Sequence, residues 1–255
     1  MKSISLKGAQ TDKRISSGIE GFDPLVHGGF RPYTVNVIVG DTGCGKSSFA
    51  WHFVGEDDIP VVYMSLEEDL DQIRAESMSL GLRTIEKKIK LKKMFFISAF
   101  TEIDKKTTSG EVAKRFFDEE LPKQIEKFKS IAADFGGLKI IIDPITPLLF
   151  EIPELKHQRE TINRIFRTLR SIGTTIITLE KGFGGELTRI PQFLADSIIE
   201  LDFLGLGTIL NRTITIRKFR GSQHAEKPFP LIFKEGKGLK ILSDEKLRLK
   251  NGIKI

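Results

Sequence analysis

Hydrophobic positions along the chain fall into short, nearly unbroken runs, separated by longer stretches where apolar residues recur every three or four positions. The runs at 34–39 (TVNVIV), 61–65 (VVYMS), 94–98 (MFFIS), 138–143 (LKIIID), 174–179 (TTIITL) and 197–201 (SIIEL) are rich in β-branched and aromatic residues and read as strands. Their near-continuous hydrophobicity fits strands buried on both faces, as in a parallel sheet covered by helices. Helices are predicted over 47–54, 70–80, 110–134 and 158–172, the third disturbed near Pro122. Toward the C-terminus the style changes. Segments 208–220, 230–233 and 239–242, with Gly236 and Gly238 between the last two, read as antiparallel edge strands. The expected fold is α/β: a doubly wound, mostly parallel central sheet with antiparallel C-terminal edge strands, taken as one domain over 1–255.

Composition narrows this picture. A chain of 255 residues that is 40% hydrophobic can bury a full core. No apolar run approaches the ~18 residues needed to span a bilayer, and the opening MKSISLKGAQTDKR has no apolar leader segment, so a cytoplasmic protein without membrane contact is expected. The single cysteine, Cys44, excludes an intrachain disulfide framework and a multi-cysteine metal site. The net charge of +6 is unevenly spread. Twelve Lys and Arg against four Asp and Glu from Thr208 onward give +8 there, leaving −2 for everything before it. Such asymmetry points to a polyanion, an acidic partner or cations working near phosphates.

Chemistry enters directly after the first strand, with GDTGCGKSS. Gly40, Gly45, Lys46 and Ser47 satisfy G-x-x-x-x-G-K-[ST] in a strand–loop–helix context. Backbone N–H groups from Asp41, Thr42, Gly43, Cys44 and Gly45 through to Ser48 are expected to wrap phosphate oxygens at the helix N-terminus. Lys46 is expected to neutralise the β- and γ-phosphates and the Ser47 hydroxyl to bind Mg²⁺. Cys44 reads as a small filler within that loop. Such a loop needs an acid at the end of a neighbouring strand, and KIIIDP supplies Asp143. Glu67 and Glu68, in YMSLEED, follow the second strand, where ligands collect in open parallel sheets. They read as candidates for orienting or deprotonating an attacking water, or else as the charged first turn of the next helix.

A second constellation lies near the C-terminus, in TITIRKFRGSQH. By strand alternation Lys218 and Arg220 share one face, while Arg217 and Phe219 share the other. The pair of cations either decorates a solvated edge or aims at one anionic target.

The ordered motifs RISSGIEGFDPLVHGG, the phosphate loop, SLEE, IIIDPIT, ITLE, QFLADSIIEL and IRKFRGSQH resemble the KaiC-like branch of RecA-type ATPases over residues 14–242. The resemblance implies a RecA-like P-loop NTPase that binds ATP and Mg²⁺ and assembles into a homo-oligomeric ring, commonly a hexamer, with nucleotide between subunits. It implies that Lys218, Phe219 and Arg220 of one subunit approach the nucleotide of the next, the two cations acting in trans on the γ-phosphate, with Ser222 and His224 lining the same site. Ser79 matches a position near the base or ribose. Thr178 and Glu180 read as sensors of nucleotide state or as a strand terminus ending in a solvated acid. Pro144 departs from the family by replacing a small polar residue after the metal acid, which bears on turnover. The expected function is slow ATP hydrolysis coupled to ring shape or to an unidentified protein partner. The alternatives are a recombination accessory protein that binds single-stranded DNA and an ATP-gated scaffold with negligible turnover. The glycine-bearing segment 180–193 reads as a flexible loop rather than a DNA track, because Lys181 and Arg189 are few cations for a strand.

Overall fold

A computed structural model of the protein describes residues 13–98, 115, 118–119, 121–150, 152, 154–182, 185–206 and 209–242. Among the described residues nine strands form one sheet: β1 (Val35–Gly40), β2 (Val61–Ser65), β3 (Met94–Ser98), β4 (Leu138–Asp143), β5 (Gly173–Glu180), β6 (Ser197–Leu206), β7 (Ile209–Phe219), β8 (Phe229–Lys234) and β9 (Gly238–Ile241). Their order is β3-β2-β4-β5-β1-β6-β7-β8-β9. The six strands from β3 to β6 are parallel and the last three antiparallel, as the change in hydrophobic pattern predicts.

Strand alternation divides the core into two layers. Val35, Val37 and Val39 of β1, Val62 and Met64 of β2, and Ile140 and Ile142 of β4 face one layer. Ile38, Tyr63 and Ile141 face the other. The helices are α1 (Lys46–Val54), α2 (Leu70–Ser79), α3 (Thr84–Lys90), α4 (Leu121–Phe135), α5 (Thr146–Phe150), α6 (Leu155–Ile172) and α7 (Arg189–Leu194). Helix α6 buries Gln158, Ile162, Ile165, Phe166, Leu169 and Ile172, a stripe at helical spacing that closes the first layer. The second layer is covered by α1 to α3 and by the N-terminal segment. There Phe22 meets Phe49 edge-on at 5.3 Å, and Phe30 packs on Phe53 at 5.6 Å.

β1 lies between β5 and β6, and α1 leaves it over one layer while α6 and α7, on either side of β5, cover the other. The C-terminal end of β1 is thus a point where connections diverge, and ligands bind at such points in open α/β sheets. Gly173 opens β5 because a Cβ there would come 2.1 Å from the Leu138 carbonyl.

Several elements depart from the expectations. Strand β6 runs to Leu206 rather than 201, and it forms a long hairpin with β7. Five of the fourteen residues of the segment expected to be a flexible loop, Arg189 to Phe193, lie in helix α7, with Pro191 inside it. Helices α3 and α5 carry too few residues to show a period. Pro122 sits in the first turn of α4, where a missing N–H costs no helical bond. Much of the N-terminal half of the predicted 110–134 helix lies outside the described residues, as do Thr208 and Gly184.

Candidate functional site

Strand register builds one site. Gly40 is paired with Glu180 across β1 and β5, and Ser65 with Asp143 across β2 and β4. The ends of four strands therefore bring the phosphate loop, Glu67, Glu68, Asp143 and Glu180 together. Thr42, Gly43, Lys46, Ser47, Pro144 and these four acids line a cleft of about 160 Å³.

The loop geometry explains its small residues. Gly43 and Gly45 have φ of 78° and 109°, a left-handed region that other residues seldom adopt. At Gly40 a Cβ would lie 2.4 Å from the Leu201 carbonyl oxygen and 2.5 Å from the Cys44 sulfur. Cys44 is buried, and burial pushes its thiol up, which fits a filler rather than a nucleophile. Lys46 begins α1 and its Nζ donates to the Asp41 carbonyl at 3.0 Å. Ser48 is buried one residue after Ser47.

Asp143 is nearly buried and fully engaged. Its Oδ1 accepts from Ser47 Oγ at 3.3 Å and from Thr178 Oγ1, and its Oδ2 accepts from Tyr63 Oη at 2.7 Å. Trp51 Nε1 donates to the Tyr63 oxygen at 3.1 Å. Sequence reading missed Trp51 and Tyr63, which carry no motif and look like ordinary core positions. Thr178 and Glu180, the two sensor candidates, both reach this site.

Burial first, and then the neighbouring carboxylates, perturb Glu67 and Glu68. Withdrawal from water at the cleft wall, then the charges of Glu180 and Asp143, push Glu67 upward although one side of it is exposed; Lys46 opposes the shift. Burial, then Glu76, Asp143, Glu67 and Asp69, raise Glu68 to about 7. Its backbone N–H is held by Ser65 Oγ at 2.9 Å.

The basic motif is elsewhere. Phe219 and Lys218 of β7 pair with Ser197 and Ile198 at the start of β6, whereas Gly40 pairs with Leu201. Four residues at ~3.3 Å each set the two levels ~13 Å apart along the sheet. Lys218 Nζ donates to the Phe193 carbonyl at 3.0 Å and the Gln192 carbonyl at 3.4 Å on α7; burial, then Arg220, lowers its pKa. Arg220 is exposed, and its backbone N–H donates to the Asp196 carbonyl. Ser222 accepts from Arg14 at 3.2 Å, and His224 Nδ1 donates to the Ala225 carbonyl at 3.0 Å. Ser79 belongs to neither group: exposed at the end of α2, it donates to the Glu76 carbonyl at 2.7 Å.

Alternation fails at one point in this strand. Lys218 faces Ile198 while Ile216 faces Ile199, so Arg217 is the extra residue of a bulge. Arg217 consequently pairs with Glu200 on one face, while Phe219 stacks on Phe30 at 6.2 Å in the core of the other. The expectation that those two share a face is thus corrected, and Phe219 offers only its backbone to a ligand. Arg212, further back on β7, was not singled out by its sequence. Its guanidinium lies 5.2 Å from the Phe203 ring and 4.9 Å from the Phe233 ring, and its Nε donates to the Gly43 carbonyl at 3.2 Å.

The chain is similar to known proteins over most of its length. The family described as "ATPase: KaiC" matches residues 15–246. The UPF0273 protein MJ1359 of Methanocaldococcus jannaschii is 30% identical, with 93% of this chain and 100% of that protein aligned. Circadian clock protein KaiC2 of Synechocystis sp. is 28% identical over 93% of this chain but only 41% of its own length. The chain thus spans about two fifths of the cyanobacterial clock proteins it matches. The crystal structure of KaiC-like protein PH0186 from Pyrococcus horikoshii OT3 superposes with a TM-score of 0.70 at 28% identity, covering 91% of this chain and 99% of that one. With a phosphate loop, a mostly parallel sheet and a family match spanning nearly all the described residues, the chain belongs to the KaiC ATPase family.

Proposed function

We propose that the protein binds ATP with Mg²⁺ in the cleft at the end of β1 and hydrolyses it slowly within a homo-oligomeric ring, commonly hexameric in this family. Each cleft is completed by a neighbouring subunit, and nucleotide state is read out as ring shape or partner binding. The observation that carries the reading is the separation of the two halves of the site. Lys218 and Arg220 flank the level of Phe219, ~13 Å along the sheet from the phosphate loop of their own chain, so their service to a nucleotide falls to the next subunit.

The donor set fits both groups. Among the described residues no cluster of three or more His, Cys, Asp and Glu forms a metal cage. Two hard oxygen donors, Ser47 and Asp143, converge instead, a sparse set suited to Mg²⁺ that keeps waters and shares substrate phosphates. When bound, Mg²⁺ offsets charge on the phosphate oxygens. The backbone from Asp41 to Ser48 cradles the phosphates, and Lys46 swings from the Asp41 carbonyl to neutralise them. Glu67, with Glu68 beside it, orients the attacking water and accepts its proton. Lys218 and Arg220 of the neighbour spread the charge developing on the γ-phosphoryl group, with Ser222 and His224 beside them. Ser79 takes a place near the base or ribose. Pro144, which lines the cleft without an N–H or a polar side chain, donates no hydrogen bond to the water, which supports slow turnover. Lys181, held by Asp202 at 2.6 Å and Glu200 at 2.9 Å, is not free to track a single strand of DNA.

If neighbours complete each site, phosphate release per subunit should climb with protein concentration through the range where light scattering shows the ring assembling. Full specific activity from the monomer would overturn the reading.

A further inference from the structure

The acid of the cleft is held by a one-way chain of hydrogen bonds that begins on the helix of the phosphate loop. Trp51 lies four residues after Ser47 on α1, so the two occupy one face of that helix. From that face Ser47 Oγ reaches Asp143 Oδ1 directly at 3.3 Å, while Trp51 Nε1 reaches Tyr63 Oη at 3.1 Å and Tyr63 Oη reaches Asp143 Oδ2 at 2.7 Å. The chain can run only one way. An indole N–H donates and cannot accept, so the Tyr63 oxygen accepts from Trp51 and sends its single proton to the carboxylate. Tyr63 is fully buried and Trp51 is 3% exposed, which leaves water little access to replace either bond.

We propose that Tyr63, steered by Trp51, is a positioning residue: it fixes the Asp143 carboxylate so that Oδ1, beside Ser47, is presented to Mg²⁺. This rests on the reading of Asp143 as the metal acid. Rotating the carboxylate would break a buried charge-assisted bond on Oδ2 and leave the Tyr63 O–H without an acceptor. Outer partners of this kind govern metal affinity as well as geometry. Because Trp51 is the single tryptophan of the chain, the same bond network supplies an optical signal.

The test uses the full chain and compares wild type with Tyr63→Phe, Trp51→Phe and Asp143→Asn. ATP binding is measured first in EDTA and then during a MgCl₂ titration, with Trp51 emission followed in the variants that retain it. Tyr63→Phe should raise the Mg²⁺ concentration for half-saturation by ~10- to 100-fold, leave ATP affinity in EDTA unchanged and abolish the Mg²⁺-dependent change in Trp51 emission. Trp51→Phe, which keeps the Tyr63 bond, should give a smaller rise in the same direction. A wild-type Mg²⁺ requirement in folded Tyr63→Phe, with Asp143→Asn clearly shifted, overturns the positioning role alone. A wild-type requirement in Asp143→Asn overturns the metal-acid reading and the positioning role with it. Should Tyr63→Phe fail to fold, Trp51→Phe decides: an unchanged Mg²⁺ requirement there overturns the proposal.

Discussion

At the C-terminal ends of β1, β2, β4 and β5, four carboxylates, Glu67, Glu68, Asp143 and Glu180, surround Lys46 in one cleft. At the other end of the sheet the balance reverses: Lys218 lies near Arg220 and Arg170, with Asp196 as the acid among them. On the proposed reading neither end completes the hydrolytic site by itself. The first has the cradle together with a cluster of carboxylates; burial first, and then those neighbouring charges, raise Glu67 and Glu68. The second has cations but, among the described residues, no phosphate loop like that of the first. Opposite charges on opposite ends of one rigid sheet are what head-to-tail packing of identical subunits brings together, and a heterologous interface that closes gives a ring. On the proposed reading, Lys218 and Arg220 at the basic end are the complement of the acidic cleft on another copy.

The largest expected effect breaks this pairing from either side. Arg220→Ala should retain ATP binding but lose about 10³-fold in hydrolysis, the scale of an arginine supplied in trans. Lys46→Ala should lose ATP binding while keeping its fold, since Lys46 sits at the rim of the cleft. Each mutant keeps the half-site that the other has lost. Mixed rings should therefore regain phosphate release at interfaces where the intact halves meet, with a recovery that depends on mixing ratio and on subunit exchange. Dead mixtures in verified mixed rings would show that the two ends do not serve one another.

A next, smaller effect sharpens the acidic end. Glu67→Gln preserves shape and removes one carboxylate, so ATP should stay bound while hydrolysis falls ~10²-fold. Single-turnover phosphate release against bound nucleotide separates the two. Unchanged turnover would move the role to Glu68, whose carboxyl is the more strongly raised of the pair.

Much of the acidic end was legible in the sequence because it is local. The loop from Gly40 to Ser47 is contiguous, and Asp143 ends a strand that hydrophobicity alone marks out. Glu67 and Glu68 follow another such strand. The parallel sheet and its antiparallel margin could be read for the same reason, from the period and continuity of apolar runs. What escaped depends on contacts between distant positions. Tyr63 and Trp51 look like core residues until β2 and α1 bring them to Asp143. Arg212 looks like an edge-strand cation until β7 lays it between Phe203 and Phe233 beside Gly43. Helix α7, six residues long with a proline, is too short to show a 3.6 period, and it resembled a loop. The bulge at Arg217 was invisible because nothing in TITIRKF distinguishes an extra residue from a regular one.

That bulge gives the smallest and most discriminating prediction. Arg217 and Arg220 are three positions apart in a basic motif, and unbroken alternation would put them on opposite faces. In the folded chain Arg217 is turned onto Glu200, whose other oxygen is held by Lys181 at 2.9 Å. Removing Arg217 therefore leaves Glu200 with a partner, and the pair it breaks is largely solvent-facing on the arginine side, 61% exposed. Arg217→Ala should cost under ~1 kcal/mol, a fall in melting temperature of roughly 2–4 °C at most for a chain of this size. Hydrolysis and ring assembly should stay at wild-type values. Calorimetry and phosphate release on the same preparation check both halves. If Arg217→Ala lowered turnover as Arg220→Ala is expected to, the basic end would be acting as a diffuse field of charge, and the assignment of Arg220 to a neighbour's γ-phosphate would lose its residue-level meaning.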